Sequence, residues 1–215
     1  MDLRLLVWNM EWMNDLFGAN DAPAAFKPDD TKPQHSREGA TVKMRREHLS
    51  GVINDLSPDV VVVVEGPNRD SELQLFFDTD VTGDWQVASQ HSRGTQEVGI
   101  AVLTDEGKFQ IPAFTQFDTQ NIAAFAPFFH DSDGDGVREE HDFTRYPLYT
   151  ELQTRSGERF RLLGLHLKSK GIFTALEWSA WWQKADANRR RLLAQATQLR
   201  VEFWYSHQNL SCFLM

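Results

Sequence analysis

The sequence predicts a mixed α/β protein whose sheets and helices form packed layers. Strand and helix patterns alternate in the first half of the chain, and strand patterns follow one another in the second half. Residues 60–64 are five consecutive valines, and such a run predicts a strand buried on both faces, since a half-exposed strand would alternate. No internal repeat or linker divides the chain, so we expect one domain over residues 1–200 and an atypical tail over residues 201–215.

The first half of the chain predicts two strands and two helices, with one long loop. Residues 3–8 have the apolar pattern of a strand, whereas residues 18–39 are rich in Gly, Pro, Asp and Ser and predict a surface loop. Apolar residues at near-helical spacing predict an amphipathic helix over residues 41–56, which ends before Pro58. The valine strand follows directly, and a short helix is predicted over residues 71–77.

The second half predicts paired strands and a final long helix. Five strands and one helix are expected, over residues 85–89, 98–104, 109–117, 146–153, 159–166 and 174–200. The last two strands are separated by the turn TRSG, which predicts a hairpin. Trp178, Trp181 and Trp182 lie at helical spacing in the last helix, and this spacing favours a core stripe over a stacking platform for nucleobases.

Composition and charge restrict the classes of function. The net charge of −9 argues against a broad basic surface for nucleic acid and disfavours long duplex DNA, so a phosphate substrate would need local help such as a metal ion. The N-terminal apolar run is too short for a signal peptide, and no segment reaches the ~20 apolar residues of a membrane span. The single cysteine, Cys212, excludes an internal disulfide and a cysteine-based zinc site. We therefore expect a cytoplasmic protein with no membrane association and infer no obligate protein partner.

Polar residues follow three predicted strands, in the segments WNMEW (residues 8–12), VVEGPN (63–68) and LGLHLKSKG (163–171). A rigid sheet fixes such strand ends while the following loops vary. An amide, a carboxylate, a histidine and a lysine suit a divalent cation bound to a phosphate, because hard cations take oxygen ligands and cationic donors neutralise charge on phosphorus. Taken singly, each residue has a simpler alternative: Glu65 reaching water at the sheet edge, Asn9 capping a turn, Arg145 as a surface charge, and His166 as a hydrogen-bonded strand-end histidine.

The order of these motifs resembles the endonuclease/exonuclease/phosphatase superfamily, the pancreatic-deoxyribonuclease-like metal phosphohydrolases. The motifs are strand-Trp-Asn, strand-Glu, Gly-Ile-Ala-Val-Leu, Arg-x-Pro and His-Leu-Lys-Ser, and they cover residues 3–200. The resemblance implies a layered β-sandwich with flanking helices, and a nuclease or phosphodiesterase that uses Mg²⁺ or Mn²⁺ on a phosphodiester substrate, with nucleic acid as one candidate. It also implies the site residues: Glu65 and Asn9 at the metal, His166, Arg145 and Asn9 as catalytic residues around the scissile phosphate, and Lys168 and Ser169 on the phosphate-binding rim.

The chain departs from the family pattern after residue 200. The family continues with a strand that carries Gly-Asp-x-Asn and later with a Ser-Asp-His segment, which supplies the Asp-His pair that activates the attacking water. This sequence contains neither, and its last residues, VEFWYSHQNLSCFLM, do not resemble that continuation. We therefore expect a truncated member with an incomplete second sheet, exposed apolar surface and poor solubility. The alternative function is a catalytically inactive, calcium-stabilised module of the same fold.

A separate signal lies in the acidic segment HDSDGDGVREEHD at residues 130–142. Its alternating aspartates, its glycine and its last aspartate match a calcium loop of the EF-hand type in which Asp replaces the usual Glu. Gly136 permits the tight coil that turns alternating carboxylates toward one centre. The flanks do not resemble paired EF-hand helices, so a solitary Ca²⁺ loop and a solvated turn are the two alternatives. The predicted ligands are Asp131, Asp133, Asp135, Val137 through its carbonyl, Glu139 and Asp142.

Overall fold

Two β-sheets form the centre of the fold in the computed structural model, which describes residues 2–19, 22–35, 39–92, 94–105, 107–167, 172 and 176–204. The first sheet contains β1 (Leu5–Asn9), β2 (Val60–Gly66), β3 (Trp85–Gln90) and β4 (Glu97–Leu103), in the order β1-β2-β4-β3. β1 and β2 are parallel, and β4 pairs antiparallel with both β2 and β3. The valine run occupies β2 and is buried on both faces, as predicted.

The second sheet is antiparallel and is accompanied by a small hairpin. It contains β5 (Phe109–Phe117), β8 (Leu148–Thr154) and β9 (Arg159–Gly164), in the order β5-β8-β9. Within the described residues it therefore has three strands, one fewer than the first sheet. The hairpin of β6 (Phe128–His130) and β7 (Glu139–His141) carries the acidic segment at its tip. The sequence did not predict this hairpin, because three-residue strands are too short to show a period of two.

Three α-helices flank the sheets. α1 (Val42–Leu56) is capped at its N-terminus by Thr41, whose hydroxyl accepts a hydrogen bond from the backbone N–H of Met44 at 3.3 Å. α2 (Asp70–Asp80) has acidic residues in its first turn, where negative charge is favourable, and extends three residues beyond the predicted end. α3 (Trp178–Leu199) begins four residues later than the sequence pattern predicted.

Three clusters of buried side chains define the order of the layers. One lies between the two sheets, one lies between the first sheet and α1 with α2, and one joins the second sheet to α3. Their members include Val62, Ile100, Leu148 and Leu162 in the first; Val61, Val63, Ile53 and Phe76 in the second; and Tyr149, Leu163, Ala194 and Leu199 in the third. The predicted α/β sandwich with flanking helices is therefore confirmed. Valines of β2 pack alternately into the first and second clusters, which explains why the run does not alternate in polarity.

The tryptophans at the start of α3 do not form the predicted core stripe. Trp178 and Trp182 are 70% and 47% exposed, and Leu176 just before the helix is fully exposed. The prediction was wrong because the buried face of α3 lies further along, at Ala185, Ala194 and Leu199. The tryptophans instead contact one another, with the rings of Trp178 and Trp181 stacked at 5.3 Å. No helix in the described part of the chain has the length and apolar character needed to cross a bilayer.

Candidate active site

Parallel pairing of β1 with β2 brings Asn9 and Glu65 to the same end of the first sheet. Asn9 lies opposite Val64 in the register, and Glu65 is the next residue of β2. The amide Nδ2 of Asn9 donates a hydrogen bond to Glu65 Oε1 at 3.1 Å. The carboxylate is thus fixed at the exit of a buried strand, although its side chain is still 15% exposed.

The backbone around this carboxylate is held in unusual conformations. Glu65 has a φ of 59°, at a register shift between β2 and β4. Glu11 and Trp12, which follow β1, have φ values of 50° and 57°. A left-handed conformation costs a residue with a side chain roughly 1–2 kcal/mol. The fold therefore maintains three strained residues at one place, a pattern that is typical of functional sites.

Two further hydrogen bonds orient the Glu65 carboxylate. Its Oε2 accepts from the backbone N–H of Trp12 at 3.1 Å and from Nε2 of Gln96 at 2.7 Å. Three of the roughly four lone-pair positions of the carboxylate are therefore occupied by protein donors, counting Asn9. The remaining position on Oε1 faces His166, whose Nε2 lies 3.7 Å away.

Gln96 links Glu65 to Arg145. The Gln96 side chain is buried and accepts a hydrogen bond from an Nη of Arg145 while it donates to Glu65. Burial lowers the pKa of the Arg145 guanidinium, and the nearby Glu65 and Glu97 carboxylates oppose that effect. Arginine stays protonated at neutral pH in spite of such shifts, so a fixed positive charge lies beside the carboxylate. Sequence reasoning missed Gln96, because a glutamine in a predicted turn has no pattern that distinguishes it.

His166 lies after β9 and completes the group. Burial lowers the pKa of its imidazole to about 4, with Arg145 adding to the shift and Glu65 opposing it. The ring is therefore neutral at pH 7. Its Nδ1 is buried, and none of the described residues forms a hydrogen bond with that atom. A buried ring nitrogen without a partner among those residues is unusual.

The donor set fits a magnesium-like cation better than a softer metal. Mg²⁺ commonly takes one or two carboxylates, several waters and substrate phosphate oxygens, and Glu65 supplies one such carboxylate. As the amide of Asn9 is oriented, its Oδ1 accepts from the N–H of Glu11 at 2.8 Å and its Nδ2 faces Glu65. Asn9 therefore orients the carboxylate, and it would ligate a cation only after its amide turned over.

The structure brings together four of the predicted site residues and leaves two outside the described part. Asn9, Glu65, Arg145 and His166 form one connected group. Lys168 and Ser169 lie outside the described residues. Glu11 and Asn68 are further polar residues next to these strand ends. Glu11 lies next to Asn9, while Asn68 pairs with Asn14, which donates to Asn68 Oδ1 at 2.9 Å and accepts from its backbone N–H at 2.8 Å.

The acidic segment forms a separate cluster on the hairpin between β6 and β7. One carboxylate oxygen from each of Asp131, Asp133 and Asp135 lies within 4.8 Å of the others. Asp131 accepts hydrogen bonds from the backbone N–H groups of Gly134 and Gly136, and the first of these bonds is the main cause of the lowered pKa of its carboxyl group. The three aspartates therefore converge as the sequence pattern predicted.

The other predicted calcium ligands have different partners. Asp142 accepts hydrogen bonds from Arg191 through its side chain and from Gln195 through its carbonyl. Glu139 lies in β7 and accepts from the Ser132 hydroxyl at 3.2 Å. Val137 is 62% exposed. Both ends of the loop therefore contact α3, Asp142 through Arg191 and Gln195 and Asp133 through Arg190.

Comparison with known proteins finds likeness only among solved structures. No family model and no curated protein matches the chain. A humanized D. rerio TDP2 has 14% identity and a TM-score of 0.44, over 94% of this chain and 57% of that one. The AP endonuclease LMAP from Leishmania major has 10% identity and a TM-score of 0.47, over 97% and 51%. An endonuclease/exonuclease/phosphatase from Bacteroides vulgatus has 13% identity and a TM-score of 0.41, over 76% and 51%.

All three TM-scores are below 0.5, and all three identities are below 15%. One of the three proteins bears the name of the superfamily itself. The chain spans about half the length of each of them, 57%, 51% and 51%. At these identities and TM-scores the likeness concerns part of a fold and does not extend to activity.

Proposed function

We propose that this chain is a divalent-metal-dependent phosphohydrolase that cleaves phosphodiester bonds, of the nuclease or phosphodiesterase kind. The proposal is supported mainly by the oriented carboxylate of Glu65, which has the guanidinium of Arg145 and the neutral imidazole of His166 beside it. A phosphodiester needs this combination, because its oxygens are anionic and gain further charge in the transition state. A site for a neutral substrate would gain nothing from a half-buried arginine held in place by Gln96.

Glu65, with Asn9 orienting it, would hold Mg²⁺ or Mn²⁺. Such an ion would supply Lewis acidity toward a phosphoryl oxygen and neutralise developing negative charge. Arg145 would bind a non-bridging phosphate oxygen, with its approach fixed by Gln96. His166 is neutral at pH 7, so it would donate a hydrogen bond from one ring nitrogen rather than bind as a cation. Lys168 and Ser169 would extend the same rim.

A single-stranded oligonucleotide is the nucleic acid that best suits the net charge of −9, because it presents fewer phosphates per unit length than a duplex does. A small activated diester has a single phosphate, so the net negative charge of the protein has little effect on its binding.

The test is hydrolysis of bis(p-nitrophenyl) phosphate and of a labelled single-stranded oligonucleotide with Mg²⁺ or Mn²⁺. Glu65→Gln keeps the shape of the side chain but removes its charge, and we expect it to lower the rate by about 100-fold or more, since even outer partners of metal ligands contribute 10- to 100-fold. Glu151→Gln is the matched control, because Glu151 is a partly buried strand glutamate paired with Arg161 on the second sheet. Equal rates for the two variants would contradict the proposal.

A second candidate function is a calcium-stabilised module, favoured by the convergence of Asp131, Asp133 and Asp135. Binding of Ca²⁺ to the folded chain alone would raise its melting temperature, by an amount that grows with ion concentration. We expect Asp131→Asn to abolish that rise, whereas Glu140→Gln, at an exposed neighbouring carboxylate, should keep it. A Ca²⁺-dependent rise without hydrolysis by the wild type would favour this second function over the first. An identical melting temperature with and without Ca²⁺ would exclude it.

A further inference from the structure

The backbone that holds Glu65 from the β1 side is a three-residue strap, Met10–Trp12. It leads from β1 into a short 3-10 helix at Met13–Leu16, and its last two residues are left-handed. Its contribution to the site is the backbone N–H of Trp12, which donates to Glu65 Oε2 at 3.1 Å. A small change in the strap would therefore move this donor away from the carboxylate.

The strap is held on one side by α1. Arg45 donates one Nη to the carbonyl of Met10 at 3.1 Å and to the carbonyl of Glu11. Because the Glu11 carbonyl and the Trp12 N–H belong to one planar peptide group, the second contact also restrains the donor from the backbone side. The side chain of Trp12 is held by a different group.

That group is the imidazole of His35. The rings of Trp12 and His35 are stacked, with centroids 3.9 Å apart and planes 12° from parallel. His35 belongs to the long loop that the sequence predicted between β1 and α1. Two backbone hydrogen bonds hold the loop near the site. The N–H of Lys27 donates to the carbonyl of Leu16 in the 3-10 helix, and the N–H of Val42 in α1 donates to the carbonyl of Thr31, each at 2.9 Å.

Asp15 fixes the orientation of His35. Its Oδ2 accepts from the backbone N–H of His35 at 2.7 Å and lies 3.1 Å from His35 Nδ1. Asp15 is 8% exposed and lies in the 3-10 helix that follows the strap. A chain of contacts therefore leads from the 3-10 helix through the loop and the strap to the carboxylate: Asp15 to His35, His35 to Trp12, and Trp12 to Glu65.

We propose that His35, oriented by Asp15, is a positioning residue that keeps the Trp12 N–H on the Glu65 carboxylate. The stack restricts the indole, and the indole restricts the left-handed residue that carries it. What Glu65 then does with a metal and a phosphate rests on the proposed function. The positioning itself is a property of the chain without any ligand and can be measured separately.

The direct test is hydrogen exchange of the Trp12 amide in metal-free protein. His35→Ala removes the stack, and we expect protection of that amide to fall about tenfold or more. His35→Phe keeps a flat ring against the indole and should retain protection within about twofold of the wild type. His130→Ala, in β6, is the matched control for loss of an imidazole. Melting temperatures of all three variants would show whether folding is intact.

The second readout is Mn²⁺ affinity, measured by titration. We expect His35→Ala to weaken it about tenfold, the low end of the effect of losing a group that orients a metal ligand, and His35→Phe to restore it. Unchanged Trp12 protection in a folded His35→Ala variant would overturn the positioning role, whatever the activity. Loss of protection together with no Mn²⁺ binding by the wild type would instead support positioning and contradict the proposed function.

Discussion

Gln96 offers the sharpest test of how the site is held together. It is 3% exposed and joins two charged groups, donating to Glu65 Oε2 at 2.7 Å and accepting from Arg145. Gln96→Met keeps the length of the side chain and removes both hydrogen bonds. A hydrogen bond to a charged partner contributes roughly 1.5–3 kcal/mol. Because Glu65 keeps its bonds from Asn9 and Trp12, we expect a total loss of about 2–4 kcal/mol in the free energy of unfolding.

The assay is thermal unfolding of matched variants. For a chain of this size 1 kcal/mol corresponds to about 2–4 °C, so Gln96→Met should lower the melting temperature by roughly 4–16 °C. Gln116→Met is the control, since Gln116 is partly buried and also makes two side-chain hydrogen bonds, to the Ser89 carbonyl and to Gln90, but neither partner is charged. Because hydrogen bonds between neutral groups contribute about half as much as those to charged groups, we expect the control to lower the melting temperature by about half as much. Equal shifts for the two variants would refute the account of Gln96 as the link between charges.

Two further predictions concern His166 and the tryptophans. The pKa of His166 is lowered to about 4 in the folded chain, whereas it is about 6.5 in the unfolded chain. The neutral imidazole therefore contributes fully to the free energy of unfolding above pH 6.5, and this contribution is lost as pH falls toward 4, because the unfolded chain binds the proton first. Urea unfolding of metal-free protein should show this slope, and His166→Asn should reduce it; an unchanged slope would contradict the assignment. Trp178→Gln combined with Trp182→Gln removes two exposed indoles, so light scattering of concentrated protein should fall, and unchanged scattering would exclude that surface as a cause of association.

The convergence of Asn9 and Glu65 could be predicted from sequence because it depends on strand pairing. A run of five valines fixes a buried strand, and a second apolar strand beside it in parallel brings both strand ends to one edge. The chemistry of an amide and a carboxylate at that edge then suggests a cation. Arg145 and His166 were placed by resemblance, and the structure brings them to the same group.

The rest of the site could not be predicted, for physical reasons. The donor from Trp12 is a backbone N–H, and every residue other than proline has one. The left-handed conformation of Glu65 occurs in a residue type that rarely adopts it, so no local signal marks it. His35 lies 23 positions after Trp12, in a loop sequence that lacks any periodicity, and tertiary contacts alone decide where it lies.

The acidic hairpin shows how far a local pattern can predict structure. Alternating aspartates and Gly136 predicted convergence, and three carboxylates do converge. The pattern contained no information on α3, whose Arg191 contacts Asp142. Arg190 likewise contacts Asp133, so a cation at this loop would have to compete with an arginine.

An Mn²⁺ titration followed by electron paramagnetic resonance tests most directly whether Glu65 holds a divalent cation. We expect the wild type to bind Mn²⁺ at a site that Glu65→Ala removes and Asp131→Asn retains, so that the acidic hairpin and the strand end are distinguished. Identical Mn²⁺ binding by the wild type and a folded Glu65→Ala variant would contradict the claim.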